Sequence, residues 1–464
     1  MACSLVSTEF VPDTTPPLGS GSATATVRCV GANVGASLRI SVSNGAGERI
    51  ATVVQVVPPA DGELTMIFTD LNVESWWGTR SHGAPKLYSV VAELLASDGA
   101  VTDRKLRRVG FRLLSWHPNP GAPSDAEPWL LHVDAMPVFV QGINWVPLRP
   151  DYADVPDHAY RERLMTYRDL GVNVVRVRVW GGASVERDTF YDLCDEIGLL
   201  VWQELPLSSS GIDNEPPRDE AFVEEFAAIA HEYALQLVHR PCLAIWCAGN
   251  ELAGLAGEQP PGTPLNFEHP ALSAAREAIR RVDANRRIVP TSPSGPRFDA
   301  DEEEFDQWLH HDVHGPWASA GSGEAWLRYW QSDDALFRSE VGIAGASDVS
   351  VLDRYELIPA SASDDVYDVW RHSAAWWLDE ADRPTSTDDI RDWVTRSQAR
   401  QAELVSTAAR ASKARFPRCG GFIVWMGHDA FPCPVSLSII DFDGTVKPVG
   451  HALAKVFLND AGSN

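Results

Sequence analysis

Basic residues are scarce in this chain: 39 Lys and Arg stand against 64 Asp and Glu, a formal net charge of −25 over 464 residues. A surface of that sign repels phosphate, which excludes nucleic acid and anionic membrane as partners. A neutral or cationic small molecule fits better. Cysteine is sparse too. The seven (Cys3, Cys29, Cys194, Cys242, Cys247, Cys419, Cys433) are odd in number and widely spread, with no C-x-x-C pair and no zinc spacing. They read as reduced thiols of a cytoplasmic protein rather than a disulfide framework. No apolar run approaches the length of a membrane span. The start, MACSLVSTEF, lacks the basic and apolar regions of a secretory signal, and Cys3 is too early for a lipoprotein cysteine. No cofactor and no metal is expected.

What is present changes character along the chain. Residues 1–22 are rich in Thr, Pro, Gly and Ser and read as a loose lead-in. From 23 to 117 short alternating runs such as ATATVRCV, ASLRISVSN and LYSVVAELL, separated by turn residues, predict an immunoglobulin-like β-sandwich. SWHPNPGAPSDAEP contains a linker, 118–128. From 129 to 464 strand and helix alternate. Eight strand-like runs can be counted: FVQGINWV, NVVRVRVWGG, LLVWQEL, LAIWCAGNE, RRIVPTS, WLHHDVHG, ALFRSEVG and CGGFIVWMGHD. The fold class is therefore α/β, a (β/α)8 TIM barrel following the sandwich. An open doubly wound sheet competes less well, because no G-x-G-x-x-G turn follows the first strand.

In LAIWCAGNEL an apolar run ends in small residues, then Asn250 and Glu251. A carboxylate after a buried strand costs free energy unless it has a role, and strand C-termini are where barrels do chemistry. A polar cap for the next helix is the plainer alternative. Glu340 ends the seventh run, ALFRSEVG, where a salt bridge with Arg338 is the plainer account. Two strand-end glutamates, on strands four and seven, can face each other across the barrel mouth.

At this point the chain resembles glycoside hydrolase family two, most closely its β-mannosidase branch. The resemblance is carried by RVRVWGGASVERDTFYDLCDEIGLLVWQELPL, GINWVP, CAGNE, RSEVG and GGFIVWMGHDAFP with SIIDFDGTVKPV. Upstream, SWWGTRSHGAPKLYSVVAELL and RRVGFRLL resemble its immunoglobulin-like domain. The resemblance implies a retaining exo-β-glycosidase acting on terminal β-mannosides, with Glu340 as nucleophile and Glu251 as acid/base. The same mechanism on β-galactosides, β-glucuronides or β-glucosaminides is one alternative; a non-catalytic carbohydrate-binding relative is another. Retention needs carboxyl groups about 5–5.5 Å apart. Asn250 is implied as the partner of the sugar 2-hydroxyl. Asn144 and Arg178 would bond hydroxyls or steer Glu340, and Arg178 would alternatively serve as a structural ion-pair partner. Glu204 would contact a hydroxyl and, if buried, take Arg178 as its cation. Trp180, Trp202 and Trp425 would stack on the sugar or pack in the core.

The chain departs from the pattern in places. No stretch has the length of the family's N-terminal sugar-binding jelly roll, so a homo-oligomer or a partner chain replacing that wall is the partner reading beside the carbohydrate itself. Val341 stands where an aromatic follows the nucleophile, and Trp425-Met426-Gly427-His428-Asp429 replaces W-x-x-N-D. In HHDVH, His310 and His314 share one strand face while His311 points away, which argues against a three-histidine metal site. His314 is the better sugar contact, on the resemblance. DFDG at 441–444 reads as a turn and DEEE at 301–304 as a solvated loop. The stretch from 345 to 390, with Trp370, Trp376 and Trp377, would form a lid, a rim or a docking surface.

Overall fold

Apolar and polar residues alternate along Ser20–Val30, so that Ala23, Ala25, Val27 and Cys29 are buried and their neighbours are not. A strand of period two covered on one face is the result. In the computed structural model this pattern recurs through the first hundred residues. The structure describes residues 4–13, 20–30, 34–58, 62–76, 85–151, 154–177, 185–208, 214–254, 262–319, 323–358, 366–371, 377–385 and 388–459. Seven strands make the sandwich: β1 (Ser4–Asp13), β2 (Ser20–Val30), β3 (Ser37–Ser43), β4 (Arg49–Val56), β5 (Gly62–Asn72), β6 (Tyr88–Leu95) and β7 (Val101–Val109). They form antiparallel sheets in the orders β1-β2-β5 and β4-β3-β6-β7. Leu38, Ile40 and Val42 of one sheet pack with Val27, Met66 and Phe68 of the other.

Two expectations need correcting here. The supposed lead-in carries a ten-residue strand, β1, paired with β2 from Ser4↔Val30 to Asp13↔Ser22. The Pro/Gly richness that suggested a loose segment is confined to TTPPLGSG at 14–21, whereas SLVSTEFV before it alternates like a strand. At the other end, the sandwich stops at Val109. Leu114–His117 (β8) joins Leu130–Val133 (β9) and Met136–Val138 (β10) in a separate sheet leading into the barrel. Asp134 and Ala135, at φ 48° and 69°, turn the β9–β10 hairpin, and both carboxylate oxygens of Asp134 are engaged, by Leu113 N and Ser75 Oγ. Two positive φ values suit the tight hairpin turn, and Asp tolerates them better than most residues.

The eight expected barrel strands are all present: β11 (Val140–Trp145), β12 (Val174–Val177), β13 (Leu200–Glu204), β14 (Leu243–Cys247), β15 (Ile288–Val289), β16 (Asp312–His314), β17 (Phe337–Val341) and, after a short β18 (Gly345–Ala346), β19 (Gly421–Val424). They form one parallel sheet ordered β15-β14-β13-β12-β11-β19-β17-β16. Its end strands meet through Asp312 N to Ser294 O at 3.3 Å and His314 N to Phe298 O at 2.9 Å. Inside, Trp129 stacks on Trp202 with centroids 5.8 Å apart, and Phe337 leans on both. Outside lie α1 (Asp157–Asp169), α2 (Asp188–Ile197), α3 (Glu220–Leu237), α4 (Pro270–Arg280) and α5 (Gly323–Ser332). The stretch after β18 holds α6 (Val349–Arg354) and α7 (Val366–Trp370) before α8 (Ile390–Ala414). Then come β20 (Val435–Ser436), paired with β18, and α9 (Pro448–Phe457). Trp370, Leu378 and Trp393 share a separate apolar cluster with Trp425 and Leu437, so this stretch packs on the end of β19. Trp376 lies outside the described residues.

Six cysteines are buried and reduced, and among the described residues no helix is long and apolar enough to cross a membrane. Sandwich and barrel are joined by polar contacts, buried at Trp76 and partly exposed at Arg108. Trp76 is fully buried in the barrel's cluster and donates Nε1–H to Asp195 O at 2.9 Å. Arg112 reaches the carbonyls of Pro241 and Leu243, and Arg108 pairs with Glu196 and Asp192. Trp76→Ala should cost about 3–5 kcal/mol through the cavity it leaves. Urea unfolding followed by intrinsic fluorescence should show that loss, and an unchanged midpoint would mean that the two domains unfold independently.

Candidate active site

Parallel register sets the floor of the barrel mouth. Asn144 on β11 lies beside Arg176 on β12, and Arg176 beside Trp202 on β13. Side chains two apart on a strand share a face, so Glu204 points inward above Trp202, while Gln203 turns out to Tyr191 of α2. Arg176 is fully buried and divides its guanidinium among four acceptors. Nη1 donates to Asn144 Oδ1 and Glu340 Oε1, both at 2.6 Å. Nη2 donates to Glu204 Oε1 at 2.5 Å and Asn250 Oδ1 at 2.6 Å. Burial alone would lower its pKa, but the carboxylates of Glu204 and Glu340 outweigh it and hold the guanidinium above its ordinary value.

Glu340 reaches the site through an irregularity. Arg338 points outward, to Asp333 and Tyr329, and Ser339 points inward, its Oγ 3.0 Å from that of Ser292. Strict alternation would turn Glu340 outward again. The ladder skips a residue here: Val313 and His314 face Arg338 and Glu340, and Phe422 and Val424 face Arg338 and Val341. This bulge in β17 re-aims the carboxylate into the mouth. The plainer sequence reading, an Arg338–Glu340 salt bridge, is thereby replaced: Arg338 pairs with Asp333, and Glu340 with Arg176.

Glu251 follows β14 with φ at 53°, a left-handed conformation unfavourable for a residue with a Cβ. Neighbours hold it there. Its N–H donates to Ser292 O at 2.7 Å, Asn250 N–H to Leu207 O at 2.9 Å, and Leu252 N–H to Thr291 Oγ1 at 3.0 Å. A backbone cost of about 1–3 kcal/mol persists only where surroundings fix the conformation this way. His314 lies between the two glutamates, its Nδ1 3.1 Å from Glu251 Oε1 and 3.6 Å from Glu340 Oε2. One ring nitrogen and one oxygen of each glutamate all lie within 4.8 Å of one another. The Glu251 side chain keeps 18% of its surface exposed and that of Glu340 only 2%.

Among the described residues these three are the only group of His, Cys and carboxylate ligands close enough to hold a metal. The guanidinium 2.6 Å from Glu340 already supplies positive charge there, which argues against a divalent cation. The other histidines of HHDVH go elsewhere: His310 Nδ1 to Asp334, and His311 Nε2 to Trp308 O.

The structure thus brings together Asn144, Glu204, Asn250, Glu251, His314 and Glu340. Arg178 and Trp180 lie outside the described residues, and the cation expected of Arg178 is supplied by Arg176, one pleat earlier. Trp202 is not at the mouth. It is 1% exposed, stacked on Trp129 below and beneath the Arg176 guanidinium, because register places it one layer under Glu204. Trp425 follows β19 at the correct end but is nearly buried in the cluster under the 345–390 stretch. Arg176, Ser292, Asp312 and Ser339 were missed. The i, i+2 spacing of Arg176 and Arg178 was the available signal for the first; isolated serines gave none. Two clefts, of about 540 and 520 Å³, border Glu251 through Ala253 and Leu252 and share Asn214. Phe298, Arg297 and Asp299 line one, Ser208 and Arg218 the other.

Residues 7–112, essentially the sandwich, match the family model for glycosyl hydrolases family 2. Beta-mannosidase B of Thermothelomyces thermophilus is 27% identical over 435 residues, covering 85% of this chain and 48% of that protein. The chain spans about half the length of such curated relatives. The crystal structure of a β-D-mannosidase from Dictyoglomus thermophilum superposes with a TM-score of 0.81 at 22% identity, covering 98% of this chain and 55% of that one. An exo-chitosanase from Amycolatopsis orientalis gives a TM-score of 0.70 at 16% identity, with 98% and 53% covered. At such identities the superpositions establish the fold. Together with the sandwich match and the alignment through the barrel, they make this chain similar to β-mannosidases and to glycosyl hydrolases of family 2 along most of its length.

Proposed function

We propose that the chain is a retaining β-glycosidase that releases terminal β-mannosyl residues. The observation that carries this reading is the carboxylate pair, whose nearest oxygens lie within 4.8 Å. Inversion needs room for a water between the carboxyl groups, which then stand about 6.5–9.5 Å apart. Glu340, buried and gripped by Arg176, is suited to attack the anomeric carbon. Glu251, the more exposed of the two, is suited to give its proton to the departing glycosidic oxygen. The C–O bond to the aglycone breaks as the bond to Glu340 forms. In the second step Glu251 takes a proton from water, and the resulting hydroxide displaces Glu340 from the sugar. Asn250 is fixed through Oδ1 on Arg176, with Nδ2 3.3 Å from Ser208 Oγ. In this reading Asn250, held beside Glu251, is the partner of the 2-hydroxyl, the group whose axial setting distinguishes mannose from glucose.

Anionic β-glucuronides are disfavoured by the net charge of −25 and by a site that already holds Glu204 and Glu340 on one guanidinium, with Glu251 against His314 beside them. Neutral or cationic sugars face no such penalty.

A panel of aryl β-mannoside, β-galactoside, β-glucosaminide and β-glucuronide should give turnover with the mannoside, and NMR should show the β-anomer released first. Glu340→Ala should fall by about a hundredfold or more. Glu251→Ala should keep its first step only with a good leaving group and should be accelerated by azide, which needs no base. No turnover of any sugar above the Glu340→Ala background would sink the enzyme reading; an α-anomer as first product would sink retention. Arg176→Lys keeps a charge but cannot span four acceptors. It should lower kcat/KM about a hundredfold.

A further inference from the structure

Beneath the glutamate pair lies a second polar chain that the double displacement does not use. Asp312 and His314 are consecutive inward residues of β16, both buried, with Ser292 between them from the segment after β15. Ser292 Oγ is 3.1 Å from His314 Nε2, and it donates toward Ser339 Oγ at 3.0 Å or Asp312 Oδ2 at 3.5 Å. Asp312 Oδ2 also accepts from Ser294 N–H at 3.1 Å, while its Oδ1 is buried with no hydrogen-bond partner.

A hydroxyl has a single hydrogen. If that of Ser292 is spent on Asp312 or Ser339, the contact with His314 must take its hydrogen from Nε2. We propose that Asp312, acting through the Ser292 hydroxyl, is a positioning residue that fixes the hydrogen of His314 on Nε2 and leaves Nδ1 as the nitrogen that exchanges a proton with Glu251. A neutral imidazole in this tautomer presents a lone pair at Nδ1, so the 3.1 Å contact with Glu251 Oε1 requires the hydrogen to come from the carboxylic acid. The step is one proton moving: the O–H bond of Glu251 breaks as Nδ1–H forms, giving carboxylate and imidazolium. Asp312 then answers the imidazolium charge through Ser292.

The groups facing the ring from each side are Glu251 after β14, Glu340 on β17, Asp312 on its own strand, and the aromatic rings of Phe298 and Trp317. Arg176 stands behind Glu340. Burial pushes the Asp312 carboxyl above the ordinary carboxylate range, while His314, Ser339, Arg176 and the Ser294 N–H pull it back. The relay uses the ionised form of Asp312, which burial disfavours, so its influence should fade toward acid pH.

This role for His314 rests on reading Glu251 as the acid/base, but the tautomer can be read without turnover. Protein labelled with 15N-histidine, its His314 signals assigned by their loss in His314→Gln, should show hydrogen on Nε2 in the wild type. In Ser292→Ala and Asp312→Ala the tautomers should interchange. With the aryl β-mannoside, kcat should fall about tenfold with little change in KM, the scale of removing a histidine's outer partner, and the pH profile should shift. Ser292→Thr, which keeps the hydroxyl, should restore both. Hydrogen on Nδ1 alone in the wild type overturns the proposal, whether or not any variant folds. So does a loss of activity in Ser292→Ala or Asp312→Ala with the tautomer unchanged. A wild type with Nε2–H and no glycosidase activity would defeat the functional reading and leave the assignment of Asp312 standing.

Discussion

The Arg176 guanidinium is the point on which the mouth of the barrel depends. Four acceptors from four different strands or strand ends, Asn144, Glu204, Asn250 and Glu340, converge on its two terminal nitrogens. Two are carboxylates in a fully buried setting, where an unpaired charge would cost several kcal/mol. The planar fork meets this need in a way a lysine cannot, because it offers donors in fixed directions. Its consequence is geometric. Glu340 and Asn250 cannot move independently, since each bond they make to Arg176 limits the other.

A second constraint acts on Glu251 from the opposite side. Its unfavourable φ is held by Ser292 O, while Ser292 also carries the hydroxyl that meets His314. One residue therefore positions Glu251 through its backbone and the histidine beside it through its side chain. The carboxylate pair is set by two independent anchors, Arg176 for Glu340 and Ser292 for Glu251, with His314 bridging them.

Much of this was legible in the sequence, for physical reasons that differ by residue. The eight barrel strands announced themselves as short apolar runs bounded by turn residues, and Glu251 and Glu340 as carboxylates at their ends. Pattern alone could not give register. Trp202 and Glu204 both face inward, and only the pairing of Arg176 with Trp202 shows which one lies at the floor and which at the mouth. The same ambiguity assigned to Arg178 the work that Arg176 does. The β17 bulge left no trace, because it arises from how three strands are staggered rather than from any residue within RSEVG. Composition misled at the N-terminus, where a Pro/Gly-rich stretch coloured the reading of the strand before it.

The closing seam of the barrel has a consequence of its own. Seven neighbouring pairs of strands are joined by parallel ladders, but β15 and β16 meet only through the irregular segment from Ser294 to Phe298. That segment continues from Ser292, the anchor of Glu251. Local opening favours the least hydrogen-bonded stretch of a structure. On warming, the seam would breathe before the ladders do, and Glu251 would drift from Glu340 while most of the wall stayed closed. Heat would then reach the geometry of the carboxylate pair through a few hydrogen bonds at one seam before it reached the core.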